Sequence, residues 1–375
     1  MQFETYPFEK LTMLLEGITP AAGYEPVTLT IGEPQFDTPE FITEALCRNG
    51  ALLKKYPKTA GEPELREAMR GFVKRRFHVD LDDSQIIPTF GTRELLFNFP
   101  QFLLADIKRP MMAYTNPFYQ IYEGAAVASG AKVLHLNLLK ENGFLPRMDE
   151  AELAGCNLVI LNFPNNPTAS VMDIGTMAEW VKLAIEYDFV LLNDECYSEI
   201  YTHTPPPSIL QASIEADNPT FRNVLAINSV SKRSSAPGLR SGFIAGDDTI
   251  LKRYMRYRTY VGCASPLPLQ AAAAAAWSDE EHVMGFRAKY RGNFELAREI
   301  LGIEVPEATF YIWLEVGDEL EFTKRLYERY NVKVLPGSFL GREGVGQGYV
   351  RIALVEEASR TVDALKRIKE CMENR

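Results

Sequence analysis

The sequence predicts an α/β protein in two units: a larger one built on a mainly parallel, doubly wound sheet, and a smaller α+β one. Three observations lead there. Short apolar runs of strand length recur between Gln85 and Ala245, and helical patterns such as Gly175 to Tyr187 separate several of them, which is the signature of a parallel sheet with helices on both faces. Past about residue 280 the pattern changes to one long helix followed by strands and helices in mixed order. Finally, 375 residues, 46% of them apolar, are too many for one small domain and enough for two cores.

Taken in order, the first forty residues hold Pro7, Pro20, Pro26, Pro34 and Pro39, which predicts an arm with short elements. Val27, Leu29 and Ile31 alternate as a strand does, and the stretch Ile31 to Pro34 (IGEP) leaves the flexible Gly32 at its end. A helix is predicted over Pro39 to Asn49, then a loop over Tyr56 to Gly61, then a second helix opening at Glu62, Pro63 and Glu64, where proline and acids suit a helix N-terminus. Gln85 to Thr89 reads as a strand that turns at Gly91 into a helix over Leu95 to Leu104. Further strands are predicted at Met111 to Tyr114, Lys132 to Leu136, Asn157 to Leu161, Phe189 to Asn193, Val224 to Asn228 and Phe243 to Ala245. In the smaller unit, helix Glu280 to Leu301 precedes strand Thr309 to Val316, helix Leu320 to Tyr330, strands Val332 to Leu335 and Tyr349 to Val355, and helix Ser359 to Met372. The resulting domain division is 1–45 for the arm and part of the small unit, 46–279 for the large unit and 280–375 for the rest of the small one.

Composition removes several function classes. The 40 Lys plus Arg against 50 Asp plus Glu give a net charge of −10 with no long basic run, which disfavours nucleic acid or an anionic membrane as partner. No apolar stretch approaches a bilayer span, and Met1 to Lys10 carries two acids, Glu4 and Glu9, and no apolar core of a signal peptide, so a soluble cytoplasmic protein is expected. Five scattered cysteines (Cys47, Cys156, Cys196, Cys263, Cys371) without C-x-x-C spacing indicate neither a disulfide framework nor zinc, and most read as buried thiols. The four histidines stand apart and argue against a metal enzyme. The glycines at 337, 341, 344, 346 and 348 precede a strand and do not make G-x-G-x-x-G, so a nicotinamide fingerprint is absent.

The residues that could carry chemistry fall at the ends of predicted strands. Ser229 to Gly242, SVSKRSSAPGLRSG, places Lys232 in a loop dense in Ser, Gly and Pro. A lysine held partly out of water at the end of a rigid element has a lowered pKa and becomes nucleophilic. Ser229 and Arg240 add a hydroxyl and a guanidinium able to converge on one phosphate, and lysine plus phosphate site suggests pyridoxal phosphate; a surface lysine in a polar loop is the plain alternative. The Gly91-Thr92-Arg93-Glu94 turn between strand and helix offers backbone N–H groups to an anion. Asp194 can keep a pyridine nitrogen protonated and Tyr197 can hydrogen-bond a ring oxygen, although Asp194 equally suits a helix cap. Asn162 to Ser170, NFPNNPTAS, can aim an amide into a cleft or be only a rigid loop. Tyr119 in NPFY can cover a planar cofactor or fill core. Arg351 lies on the less apolar face of a strand, where it can clamp a carboxylate or reach water.

Together, IGEP, the Tyr56 loop, Gly91-Thr92-Arg93-Glu94, Tyr119, Pro164-Asn165-Asn166-Pro167-Thr168, Asp194-x-x-Tyr197, Ser229-x-x-Lys232, Arg240 and Val350-Arg351 resemble, in order and over essentially the whole chain, the class I/II aminotransferases, the fold-type I enzymes of pyridoxal 5′-phosphate. The resemblance implies that Lys232 forms a Schiff base with the cofactor and moves a proton at the substrate's α-carbon. It implies that Gly91, Thr92 and Arg93 (through backbone N–H), Ser229 and Arg240 cradle the phosphate, that Asp194 pairs with the ring nitrogen, that Tyr197 and Asn166 hold the 3-oxygen and that Tyr119 stacks on the ring. Arg351, Gly32 and Asn166 would bind the substrate carboxylate. Tyr56 would reach the neighbouring subunit's phosphate, which implies a homodimer with shared active sites and small amino-acid and keto-acid substrates. Ala169 departs from the family's usual glycine.

Three stretches, Ser231 to Asp247, Leu335 to Gly344 and Gly348 to Val355, are similar to the bacterial N-succinyldiaminopimelate aminotransferases, with a shortened linker at Val345 to Gln347. Amination of N-succinyl-2-amino-6-oxopimelate by glutamate, in lysine and diaminopimelate synthesis, is the activity this implies, with Arg233 a candidate partner for a remote carboxylate. The alternatives are a broader-specificity aspartate, alanine or aromatic aminotransferase, a C–S β-lyase on the same scaffold, and, in another class, a non-catalytic ligand sensor, which the lack of a DNA-binding extension before the arm places last.

Overall fold

Alternate residues of the central strands go to opposite cores, and this sorts the large unit into three layers. The computed structural model describes residues 2–374. After α1 (Pro7–Leu14), β1 (Val27–Thr28), α2 (Glu40–Arg48) and α3 (Pro63–Phe77), the large sheet is assembled from β2 (Ile86–Thr89), β3 (Met111–Asn116), β4 (Lys132–Asn137), β5 (Leu158–Leu161), β6 (Val190–Asp194), β7 (Val224–Ser229) and β8 (Gly242–Gly246). Their spatial order is β2-β8-β7-β6-β5-β3-β4, with every pairing parallel except those of β8. Val159, Leu161, Leu191, Val224 and Ala226 enter one core with Phe72, Trp180 and Trp277. Leu158, Ile160, Leu192, Leu225 and Ile227 enter the other with Leu95, Phe99, Tyr122 and Tyr254. Period two with both faces covered is why these strands read as unbroken apolar runs.

The helices between them are α4 (Thr92–Leu104), α5 (Ile121–Ser129), α6 (Glu150–Leu153), α7 (Ile174–Glu186), α8 (Ile209–Glu215), the single turn α9 (Val230–Arg233), α10 (Asp248–Val261) and α11 (Leu267–Ser278). Side-chain oxygens of Asp173, Ser208 and Asp247 accept from the first-turn N–H groups of α7, α8 and α10, which fixes where each begins. The alanine run that marks α11 lies among the residues of the first core, and α11 packs against α2 and α3.

The long α12 (Glu281–Leu301) leads to β9 (Tyr311–Glu315), α13 (Glu319–Tyr330), β10 (Val332–Lys333), β11 (Leu335–Pro336), β12 (Tyr349–Ala353) and α14 (Ala358–Glu373). An antiparallel sheet β11-β12-β9 and a parallel pair β1-β10 share a core of Val27, Leu29, Phe294, Ile312, Leu314, Leu326, Val350, Ile352 and Leu365. The stretch Val332 to Leu335, expected as one strand, is broken at Val334: Val332 and Lys333 pair with β1, while Leu335 and Pro336 pair with β12. The chain thus changes sheets there, which four consecutive strand-like residues do not reveal. The strand predicted from Thr309 starts later because Thr309 has φ +69 and its hydroxyl accepts from Tyr311 N–H. The arm forms α1, with Leu11 and Leu15 packed on Leu335 and Leu340. No helix among the described residues is long and apolar enough to cross a membrane.

Candidate active site

Five parallel strands end at the same edge of the large sheet, and the residues at or just past each strand end line a cavity of 470 Å³. Past β2 come Thr92 and Arg93, past β3 Tyr119, past β5 Asn162 and Asn166, at the end of β6 Asp194 with Cys196 and Tyr197, and past β7 Ser231 and Lys232, beside Ser229. This is the crevice where open α/β sheets present their loops. Gly32, Tyr311 and Arg351 close it from the smaller unit, and Tyr6, Pro7 and Phe8 of the arm line it as well.

Lys232 donates to the Gly32 carbonyl. Burial lowers its pKa from 10.5 to about 8; Arg351 and Arg240 push the same way, and Cys196 and Glu33 oppose them. The amine is therefore available as a nucleophile close to neutral pH. Asp194, buried at the end of β6, accepts from Tyr122 Oη at 2.9 Å and from Cys196 N at 3.3 Å. Burial raises its pKa, against the pull of those hydrogen bonds. The helix-cap alternative for Asp194 falls away, since β6 runs into a turn and the next helix, α8, is capped by Ser208.

At the other side, Gly91 precedes α4 with φ +74 and ψ 164, a conformation almost confined to glycine. A Cβ there would lie 2.3 Å from Arg240 Nη2. Arg240 donates to Pro237 O at 2.8 Å and Phe90 O at 3.3 Å, and the Ser229 and Ser231 hydroxyls are 2.8 Å apart. The N-terminus of α4, a guanidinium and paired hydroxyls suit a phosphate.

Arg351 is buried, not in water: Nη1 donates to Asn166 Oδ1 at 2.8 Å, Nη2 to Thr30 O at 2.5 Å, and Nε has no partner. Its guanidinium lies 4.5 Å from the centre of the Tyr311 ring, and Tyr311 Oη is 2.9 Å from Tyr197 Oη. Gly32 is the residue that fits beneath, because a Cβ there would meet Tyr311 Oη at 1.8 Å. Arg93 donates through Nε to Tyr119 Oη at 2.5 Å and through Nη2 to Tyr6 Oη at 3.3 Å. An amine, a buried carboxylate, a phosphate cradle and an aromatic wall form a donor set that fits pyridoxal phosphate.

Every expected site residue but Tyr56 and Arg233 lies in or against this cavity. Tyr56 is fully exposed and does not line it. Arg233 is a correction: it is buried between Phe72 and Trp277 and donates to Ala276 O and Glu280, so it cannot reach a substrate. Only Cys156 and Cys371 are buried thiols; Cys47 is exposed, and Cys196 lines the cavity, its Sγ 3.4 Å from Thr92 Oγ1. Tyr6, Tyr122 and Tyr311 were not legible as site residues. Tyr122 had one usable signal, its place one helical turn past Tyr119. No cluster of metal-ligating side chains occurs among the described residues.

The family model "Aminotransferase class I and II" matches residues 24–368. An LL-diaminopimelate aminotransferase of Aquifex aeolicus is 31% identical over 365 residues, covering 92% of each chain. The crystal structure of aminotransferase AspB from Helicobacter pylori aligns with a TM-score of 0.98 at 49% identity over 100% of both chains. An aminotransferase from Neisseria meningitidis aligns with a TM-score of 0.94 at 42% identity, over 98% of this chain and 97% of that one.

Proposed function

Since the chain belongs to the class I and II aminotransferases, enzymes that depend on pyridoxal 5′-phosphate, we propose that it moves an amino group between glutamate and N-succinyl-2-amino-6-oxopimelate. One feature of the cavity carries the preference for a substrate with several carboxylates. Arg93, Arg240 and Arg351 all line it, and none donates to a carboxylate among the described residues. Arg240 belongs to the phosphate and Arg351 to the α-carboxylate, which leaves Arg93 for a remote one. The three stretches similar to succinyldiaminopimelate aminotransferases support the same reading, as do relatives named for LL-diaminopimelate, whose pimelate backbone the proposed substrate shares.

The bound cofactor supplies an electron sink for the charge left when the α-carbon loses its proton. Lys232 holds the cofactor and then carries that proton, as its lowered pKa suits a group that must both take and give it near neutrality. Asp194, oriented by Tyr122, keeps the ring nitrogen protonated, and Tyr197 and Asn166 bond the 3-oxygen. Tyr119, held by Arg93, covers the ring. Backbone N–H groups of Thr92 and Arg93, with Gly91 allowing their approach, join Ser229 and Arg240 on the phosphate. Arg351, Gly32 and Asn166 take the substrate carboxylate. Tyr56, exposed and outside this cavity, serves the neighbouring subunit of a homodimer.

The test is a single-turnover absorbance titration of the holoenzyme with N-succinyl-LL-2,6-diaminopimelate beside glutamate. Conversion of the cofactor band by both supports the proposal. Conversion by glutamate and aspartate alone replaces it with the broader-specificity reading.

A further inference from the structure

The three residues after Lys232 are each tied to another part of the fold. Arg233 reaches the end of α11 and Glu280. The Ser234 hydroxyl lies 2.9 Å from His282 Nε2 on the first turn of α12. The Ser235 hydroxyl donates to Phe36 O, and its carbonyl accepts from Thr38 Oγ1 at 2.6 Å. Ser235 has φ +47, a left-handed conformation that a serine keeps when its surroundings over-determine it.

His282 Nδ1 is 2.5 Å from Asp279 Oδ1, and the ring packs edge-on to Phe41 and Phe286. An ionised carboxylate only accepts, so Nδ1 carries the proton and Nε2 of the neutral ring accepts from the Ser234 hydroxyl. Burial holds the imidazole below its usual pKa against the pull of Asp279. Serine, histidine and aspartate are the parts of a hydrolytic triad, yet Ser234 is fully buried and does not line the cavity. No substrate reaches it. What lies two residues away is Lys232.

We propose that His282, through the Ser234 hydroxyl, is a positioning residue that fixes the turn carrying Lys232 and so aims its amine into the cavity. The turn needs such help because α9 is only four residues long and a lone helical turn does not hold itself. The tether has a second consequence. His282 lies in the first turn of α12, whose later residues Phe294 and Ala297 pack in the smaller unit's core, so the direction of the amine is coupled to the helix that joins the two units. The inference rests on Lys232 as the reacting amine, which Lys232→Ala tests separately: turnover in that variant would sink the reading of the site, not this one alone.

The experiment compares Ser234→Ala, His282→Asn and His282→Gln as holoenzymes. Asparagine keeps a donor for Asp279 but withdraws from Ser234, whereas glutamine places an amide oxygen where Nε2 accepted. Ser234→Ala and His282→Asn should each lower kcat about 10-fold with KM for glutamate little changed, the expected effect of a slightly misaimed reacting group. The pH midpoint of the bound cofactor's visible absorbance should move up in both as water gains access to the Lys232 nitrogen. The double variant should be no worse than either single one, and His282→Gln should restore both readouts. Wild-type kcat and midpoint in Ser234→Ala, or a loss of thermal stability alone in His282→Asn, would overturn the proposal. Should His282→Asn fail to fold, Ser234→Ala, which deletes a single oxygen, decides.

Discussion

Lys232 makes the cofactor-free protein less stable than it could be, and its environment sets the amount. The fall in its pKa from 10.5 to about 8, at about 1.4 kcal/mol for each tenfold, amounts to roughly 3 kcal/mol. Because the folded value lies below the unfolded one, the native state holds the proton less well. The penalty is complete below about pH 8, fades between there and 10.5, and is absent above. Lys232→Met removes the charge but also the hydrogen bond to Gly32 O, a loss of about 1 kcal/mol. The cofactor-free variant should therefore exceed cofactor-free wild type by about 2 kcal/mol at pH 7, while turnover is abolished. Urea unfolding of both proteins at pH 7 and pH 10 measures this, and the gap should close at the higher pH. A variant less stable than wild type at pH 7, or a gap that ignores pH, would show that Lys232 is not held in a desolvated site.

Arg93→Gln should raise KM for 2-oxoglutarate relative to pyruvate by about 10-fold, the scale of one charge-assisted hydrogen bond, in steady-state kinetics with both acceptors. Arg233→Ala should lose about 3 kcal/mol in urea unfolding yet leave the ratio of those two KM values unchanged, which separates a buried structural cation from a carboxylate reader. Gly91→Ala should cost about 1 to 3 kcal/mol through its backbone conformation and weaken cofactor binding in equilibrium dialysis, because the new methyl displaces Arg240 from Phe90 O.

The large sheet was legible because its strands, apart from the partly exposed edge strand β4, are buried on both faces, so each of them appears as an apolar run, and because polar residues return where the strands end. That same rule located Asp194, Lys232 and the Gly91 turn. It fails where tertiary contacts decide. The alanines of α11 show no amphipathic period, since that helix is wedged between α2 and α3. Val332 to Leu335 reads as one strand in the sequence and forms parts of two strands in space. Tyr122 and Tyr311 enter the site through hydroxyls at the tips of core rings, and a core tyrosine looks the same in sequence whether its hydroxyl meets Asp194 or nothing, as that of Tyr114 does. Arg233 misled because it neighbours Lys232, but successive side chains in a helical turn point in different directions.

The partners of the buried and half-buried arginines separate structure from site more sharply than their positions do. Arg258 is paired with Glu94, Arg233 with Glu280 and Arg76 with Glu199, each within 3.0 Å. A desolvated cation next to a carboxylate is neutralised and has nothing left to offer a ligand. Arg240 and Arg351 instead donate to backbone carbonyls and one side-chain amide, which fix the direction of the guanidinium without cancelling its charge. Holding cations this way is costly until an anion arrives, and it leaves a positive cavity in a chain of net charge −10. On the proposed function, a phosphate and carboxylates bind there together because each satisfies a charge that the protein has oriented but not paired.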